Sequence, residues 1–505
     1  MTYPIAVSPS IMTPGLYLTV DLLAGVAGPG NEALRVALLA SKSTAGDLTA
    51  NTEVRAGAGV DSASVAFGPG TPGHLMAKII YGKYPSAQID FAAPTAGAGA
   101  ATLSLTASGA VGANQAVDFD IMGRTFQVAW LLGVTPADFA TAAIAAINAL
   151  TDDLAVSAAS GGAGVIAITF KVTGNIGNDA LVKATLNLAQ TGTEAIAGAL
   201  THTALAGGTT EADFATVLSL ISGREYHFIL PALSNTDIEQ VSTDNGLQDC
   251  LTHIHSYNTG LTSKLQQVVV GYTGDITHAV ATALDANGGN DDYNAELVTC
   301  VNGRSLPCEV GAREVAGRLA MESLDPSGNR IGELMDMVVG SWDVIADRPN
   351  EAESETCLDG GSTLITYNAS DAEQLCRAVT CRGSDKRCTD VQNVSATYIV
   401  ARDVRDNLPA AFPNAKIMPD IEEGDEVPPA GVLEERDVKS WCINRLQVWV
   451  RKGVIQKASL DAAIADGSLI VKVNESDTTQ VDIVLPFKIV QPLAKFGVVA
   501  QRIPG

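Results

Sequence analysis

Apolar residues recur along this chain with two periods, and the change from one to the other divides it into regions. Residues 34–40 form a short continuous apolar run, the mark of a strand covered on both faces. Residues 62–67 read as a loop leading into a helix over 72–81. Between 101 and 207 short β-prone runs alternate with glycine-rich turns, which predicts strands over 102–107, 116–121, 125–131, 166–172 and 181–188. One helix interrupts them. Thr135-Pro136-Ala137-Asp138 supplies an N-cap, a proline in the first turn and an acid three residues after the cap, and Phe139, Ala143, Ile147 and Leu150 then share a face. Beyond 211 the pattern alternates: strands over 226–233, 265–271 and 295–301, and helices over 236–257, 275–285 and 310–322. Such alternation predicts a parallel sheet with helices laid over it.

The last quarter reads as a compact α+β unit. Val438, Cys442, Leu446 and Trp449 make one helical stripe that ends at Gly453, with Arg451 and Lys452 where the helix dipole favours cations. Ser459 is placed to cap a short helix that stops before Gly467. Residues 469–473 and 481–485 alternate and pair as a hairpin, with Leu469, Val471 and Val473 on one strand and Val481, Ile483 and Leu485 on the other. A last strand is expected over 493–503, carrying Leu493, Phe496, Val498 and Val499. A matching β-prone run near the start holds Leu16, Tyr17, Leu18 and Val20. Glycine or proline sets each of these two runs apart from its neighbours, through 25–30 for the first and Pro486 and Pro492 for the second. An apolar strand without a partner is an aggregation hazard, so both are expected to pair with the sheets of neighbouring chains, the alternative being that both fold back within their own subunit.

The expected fold class is therefore mixed α/β and α+β in several domains. Residues 1–30 form an arm with a donated strand. Residues 31–93 and 208–375 form a parallel α/β core. Residues 94–207, bounded by a Gly/Ala linker and by Gly207-Gly208, form an inserted, mostly-β outer domain. Residues 376–505 form the α+β assembly module.

Composition narrows the functional classes. A chain of 505 residues, 46% hydrophobic and 17% charged, is built for buried cores rather than disorder. Its net charge of −24 and lack of basic clusters argue against nucleic acid as a partner. The opening residues carry no basic segment ahead of an apolar one, and no apolar run approaches the ~20 residues of a membrane helix, so no membrane association and a cytoplasmic site of synthesis are expected. Eight cysteines lie at Cys250, Cys300, Cys308, Cys357, Cys376, Cys381, Cys388 and Cys442 without a CxxC pair, and are expected to be free thiols. No cofactor, metal or catalytic set is expected. The loop 233–236 lacks GxGxxG, and neither GxxxxGK[ST], GxSxG nor HExxH occurs. Asp249 and His253 share a helical face while His255 points elsewhere, which suits a solvated or capping role. The acidic clusters at 351–355 and 420–426 lack the alternating ligands of a calcium loop, and the second suits an exposed linker.

Two stretches carry a family resemblance. Residues 377–390, then 397–405, then Phe412-Pro413 ahead of Lys416, resemble the C-terminal module of contractile tail sheath proteins, with the nearest likeness to Mu-like phage tail sheaths. Asp325-Pro326, the apolar run 334–340, Ala346-Asp347-Arg348, the acids of 353–355 and Gly360-Gly361 resemble a second conserved region of that family, with Ser327-Gly328 in place of its Ala-Arg. The likeness spans 211–505 and, more weakly, the first ~90 residues. It implies a sheath subunit without enzymatic activity, which polymerises with itself into a helical tube around an inner tail tube protein. It further implies contacts with baseplate and tail terminator proteins, exchanged terminal strands, assembly in a bacterial host cytoplasm and residence in a virion tail. Two other readings stand beside it: a hydrolase-type enzyme on the α/β core, and a β-rich surface adhesin or coat protein.

Overall fold

The computed structural model describes residues 34–187, 192–239, 246–258, 264–285, 293–322, 348–368, 370, 372–381, 390–413, 415–420, 431–475 and 480–491. The runs 16–20 and 493–503, and Cys388, lie outside them.

An eight-stranded sheet organises the described chain. From one edge to the other its strands are Glu373–Leu375, Thr363–Tyr367, Ala295–Thr299, Gln267–Tyr272, Phe228–Pro231, Arg35–Leu39, Gln88–Ala92 and Val54–Ala56. The inner six run parallel, and the outermost strand at each edge runs antiparallel to its neighbour. The parallel strands are short and apolar because both faces are covered: every residue of Gln267–Tyr272 and Ala295–Thr299 is buried. Successive residues of Arg35–Leu39 feed opposite cores. Val36 and Leu38 pack with helices Val60–Phe67, Pro72–Lys83 and Pro307–Glu322. Ala37 and Leu39 pack with Phe214–Ile221, Gly246–Tyr257 and Ile276–Asp285.

The expected loop at 62–67 is a helix, Val60–Phe67, that buries Ala63, Ala66 and Phe67. Only three residues bury, and Gly59 before it offers no side-chain cap, so propensity and capping signals are both weak there. The long helix expected over 236–257 is described in two pieces, Asn235–Glu239 and Gly246–Tyr257.

Between the strands Gln88–Ala92 and Phe228–Pro231 the chain builds two four-stranded antiparallel sheets. One has the order Ala195–Ala197, Thr102–Ser108, Val165–Phe170, Val156–Gly162; the other Thr203–Ala204, Leu181–Leu186, Gln115–Ile121, Arg124–Trp130. Helix Pro136–Ala149, capped by Thr135 Oγ1 accepting from the Asp138 N–H at 3.1 Å, packs with them. Phe139 stacks on Trp130 with ring centroids 4.6 Å apart. The strand Val156–Gly162 (VSAASGG) escapes a sequence reading because only its partners, not its own side chains, favour it.

After residue 390 the described residues form the helix Val391–Ala411, a two-stranded parallel ladder of Lys416–Met418 with Val432–Glu434, the helices Glu435–Arg451 and Lys457–Ala465, and an antiparallel hairpin of Ile470–Val473 with Val481–Val484. The helix stripe Val438, Cys442, Leu446 and Trp449 is buried. Ser459 does not cap its helix: Gln456 holds the N-cap position, without a side-chain bond, and Ser459 lies within the first turn.

Candidate functional site

The hairpin joins the two strands expected at 469–473 and 481–485. Its register pairs Ile470 with Val484, Val471 with Ile483, Lys472 with Asp482 and Val473 with Val481. Directly opposite residues share a face, so Val471, Val473, Val481 and Ile483 lie together. That face covers Val438 and Cys442 of helix Glu435–Arg451, with Leu408, Phe412, Ile417, Leu433, Trp441 and Leu485 around it. Only Val438, Cys442 and Val471 of this group are fully buried; all the others are half-covered. Leu469 and Leu485 fall just outside the paired strands, Leu469 being wholly buried in the main core. The runs holding Leu16, Tyr17, Leu18 and Val20, and Leu493, Phe496, Val498 and Val499, lie outside the described residues.

The two edges of the hairpin differ. The Asn474 N–H donates to the Gln480 carbonyl at 2.9 Å, so the hydrogen-bonded pairs fall at the even positions of Ile470–Val473 and the odd-numbered amides point outward. On that first strand the outward Val473 N–H is taken by Glu435 Oε1 at 2.7 Å. On the second strand, Val481 and Ile483 turn their amides to an edge that no other strand occupies among the described residues. A lone two-stranded hairpin is marginally stable, and an open edge is a template for a further strand.

This surface is tied to the central sheet through the helix Val391–Ala411. Asp403 accepts from Arg445 Nε at 2.6 Å and Trp449 Nε1 at 2.8 Å, which fastens Glu435–Arg451 to it. Nearer the sheet, Glu225 receives Arg402 Nε at 2.9 Å and Arg405 Nη2 at 2.8 Å. Deeper still, the fully buried Arg318 meets Glu296 at 3.0 Å and Glu322 at 2.8 Å, and also donates to Ser395 of the same long helix. Its guanidinium lies over the Phe228 ring, 4.4 Å from the centroid. Three charges can share this dry site because each finds a partner.

Doubly wound sheets take ligands at the carboxyl ends of the strands where the chain reverses its direction of travel across the sheet. Here that point lies between Arg35–Leu39 and Phe228–Pro231, since the chain adds Gln88–Ala92 on one side and returns to the other. Ser41, Ala232, Phe214 and Asp237 border the crevice, and Thr173, Gly174, Asn175 and Ile176 of the antiparallel region close over it. The space left is about 10 Å3, room for roughly one water.

His253 is neither solvated nor a cap. It is buried, its ring lies 4.6 Å from that of Tyr257, and burial pushes its pKa down to about 4. The acids of 351–355 open a helix, Glu351–Asp359, closed by a capping box between Asn350 and Glu353. Asp420 accepts from the Arg436 N–H at 2.8 Å. The seven described cysteines are free thiols, all buried except the half-buried Cys376. Burial raises Cys250 and Cys308 well above the usual thiol range, Cys357 to about 11 and Cys442 to about 12.

No protein-family model matches the chain, and no curated protein matches its sequence. Among solved structures, the chain is similar to a sheath tail protein of Desulfitobacterium hafniense, at 14% identity and a TM-score of 0.44 over 94% of this chain and 100% of that one. It is similar to a sheath tail protein of Listeria innocua at 12% identity and a TM-score of 0.44, over 85% of this chain and 87% of the other. A chain of the anti-feeding prophage baseplate is similar at 12% identity and a TM-score of 0.40, over 61% of this chain and 77% of that one.

Proposed function

We propose that this protein is a structural subunit of a contractile tail sheath, which polymerises into a helical tube by adding strands of neighbouring chains to its hairpin. The observation that carries this reading is the hairpin Ile470–Val473/Val481–Val484: two strands, a half-covered apolar face, and one edge with outward amides at Val481 and Ile483. The sequence resemblance at 377–390, 397–405 and Phe412-Pro413 lies in the same module. On this reading the donated strands are 16–20 and 493–500, and residues 94–207 form an outer domain that polymerisation does not need. About five residues of each donated strand would add roughly four or five backbone hydrogen bonds at a net ~0.5–1.5 kcal/mol each. A head-to-tail contact of this kind does not close on itself and so generates a helix. The filled crevice at the strand reversal point favours a structural role over a hydrolase, for which that is the place where substrate would enter.

Two shortened chains test it, one lacking residues 1–22 and one ending at Gln491. Both are expected to stay folded by circular dichroism and to form no tubes in negative-stain microscopy, while the full chain does. Normal tubes from both would overturn the strand-addition reading.

A further inference from the structure

The crevice at the strand reversal point is closed by protein, and the closing piece is held by acids. The two connections between the central sheet and the antiparallel region run side by side as a neck. Thr95 bridges Asp213, and the Thr209 N–H donates to the Ala98 carbonyl at 3.0 Å. Gly174 and Asn175 tuck into this neck through N–H bonds to the Gly99 carbonyl at 2.9 Å and the Thr210 carbonyl at 3.0 Å. The approach is so close that a Cβ on Gly97 would fall 2.0 Å from the Thr210 oxygen. A 3-10 turn, Asn175–Asp179, follows and lies against the helix Asn235–Glu239. Asn175 Nδ2 donates to Asp237 Oδ1 at 2.8 Å, and the Asn235 N–H to Asp179 Oδ2 at 2.9 Å. Across the neck, Glu211 accepts from the Gly246 N–H.

Five carboxyl groups thus gather at one junction, Asp179, Glu211, Asp237, Glu239 and Asp249. Among the described residues, the charged groups acting on Asp179 are Asp237 and Glu239, and those acting on Glu211 are Asp237 and Asp249; all are acidic. The other titratable groups facing them are the buried thiols of Cys308, near Asp179, and Cys250, near Glu211. Tyr272 donates its hydroxyl to Glu239 at 2.5 Å, and the exposed Asp275–His278 pair stands beyond it. We propose that this junction is a proton-locked latch: the turn Asn175–Asp179 holds the crevice shut while Asp179 and Glu211 are neutral, and it loosens together with the neck as they ionise.

The direction of the pH response follows from the two states. In the closed form burial first, and then the neighbouring acids, raise Asp179 to about 8; burial, followed by Asp237, raises Glu211 to about 8 as well. In the open form both return to the ordinary carboxylate range near 4. The closed form therefore holds the protons more tightly. Its advantage is complete below about pH 4, falls as pH rises towards about 8, and is constant above that.

Hydrogen exchange of the full-length, unassembled chain at pH 5, 7 and 9, corrected for the intrinsic rate, tests this independently of whether the chain forms tubes. Peptides covering 173–180 and 207–213 are expected to lose at least about tenfold protection between pH 5 and 9, relative to a peptide covering 267–272. The double variant Asp179→Asn/Glu211→Gln stays neutral at every pH and is expected to keep its protection at pH 9. Glu211→Gln alone, which retains the oxygen that accepts from Gly246, should lose part of the pH response. A flat profile in the unaltered chain, or the same loss of protection in the double and single variants, would overturn the latch.

Discussion

The central sheet and the C-terminal hairpin handle exposed strand edges in opposite ways. The sheet covers both faces of its six parallel strands with helices and ends each edge with a short antiparallel strand of three residues. Glu373–Leu375 and Val54–Ala56 present little backbone to a visiting strand, a common way of blunting an edge. The hairpin has two strands, a face only half covered, and outward amides at Val481 and Ile483. Among the described residues, one region ends in short edge strands while the other leaves the outward amides of Val481 and Ile483 without a neighbouring strand. The comparison teaches that one chain can blunt both edges of a large sheet and still, among its described residues, leave one edge of a small hairpin uncovered.

The largest effect is expected in the closed region. Arg318→Ala leaves Glu296 and Glu322 buried without their partner, and should cost about 3–5 kcal/mol in urea unfolding. A loss below about 1 kcal/mol would show that the sheet does not depend on this buried pairing. In the open region, Ile483→Pro removes an outward amide without removing a ladder bond of the hairpin. Its cost in the isolated chain should be about 1–2 kcal/mol, mostly lost packing of a half-covered side chain, yet tubes should be absent in negative stain. Tubes of normal length would move the acceptor edge elsewhere. The smallest effect concerns the thiols, which are spread over both regions. Burial raises Cys250, Cys308, Cys357 and Cys442, so a thiol reagent at pH 8 should react slowly with these four in the native chain and reach eight thiols after denaturation. A count of six or fewer would reveal a disulfide.

The regular parts of this fold are readable because their pattern repeats. Apolar runs bounded by turn residues marked the strands at 35–39, 228–231, 267–272 and 295–299, and helical spacing marked Val438, Cys442, Leu446 and Trp449. The alternation within 469–473 and within 481–485 predicts a hairpin pair, and the register then places Val471, Val473, Val481 and Ile483 on one face. What escaped lacked a pattern of its own. The helix Val60–Phe67 is short and uncapped, and Val156–Gly162 is a strand only because Val165–Phe170 pairs with it. The helix Val391–Ala411 mixes polar and apolar residues throughout its buried half, since Gln392, Asn393, Ser395 and Thr397 are covered there along with its aliphatic residues. No hydrophobic stripe can mark a helix buried on every side.

The sequence by itself determined the local elements that carry a period of their own, the alternation that makes the central sheet parallel, and the apolar positions of the hairpin. These depend on period and on nearest neighbours, which a linear string contains. The tertiary structure alone decided which edge of the hairpin is open among the described residues, because Glu435, 38 residues away from Val473, takes the amide on the other side. It also decided that Arg318 would join Glu296, Glu322 and Ser395, and that Asp179 and Glu211 would meet acids rather than bases. The energy of a charge depends on what surrounds it in space, and those surroundings are assembled from segments that chain order keeps apart.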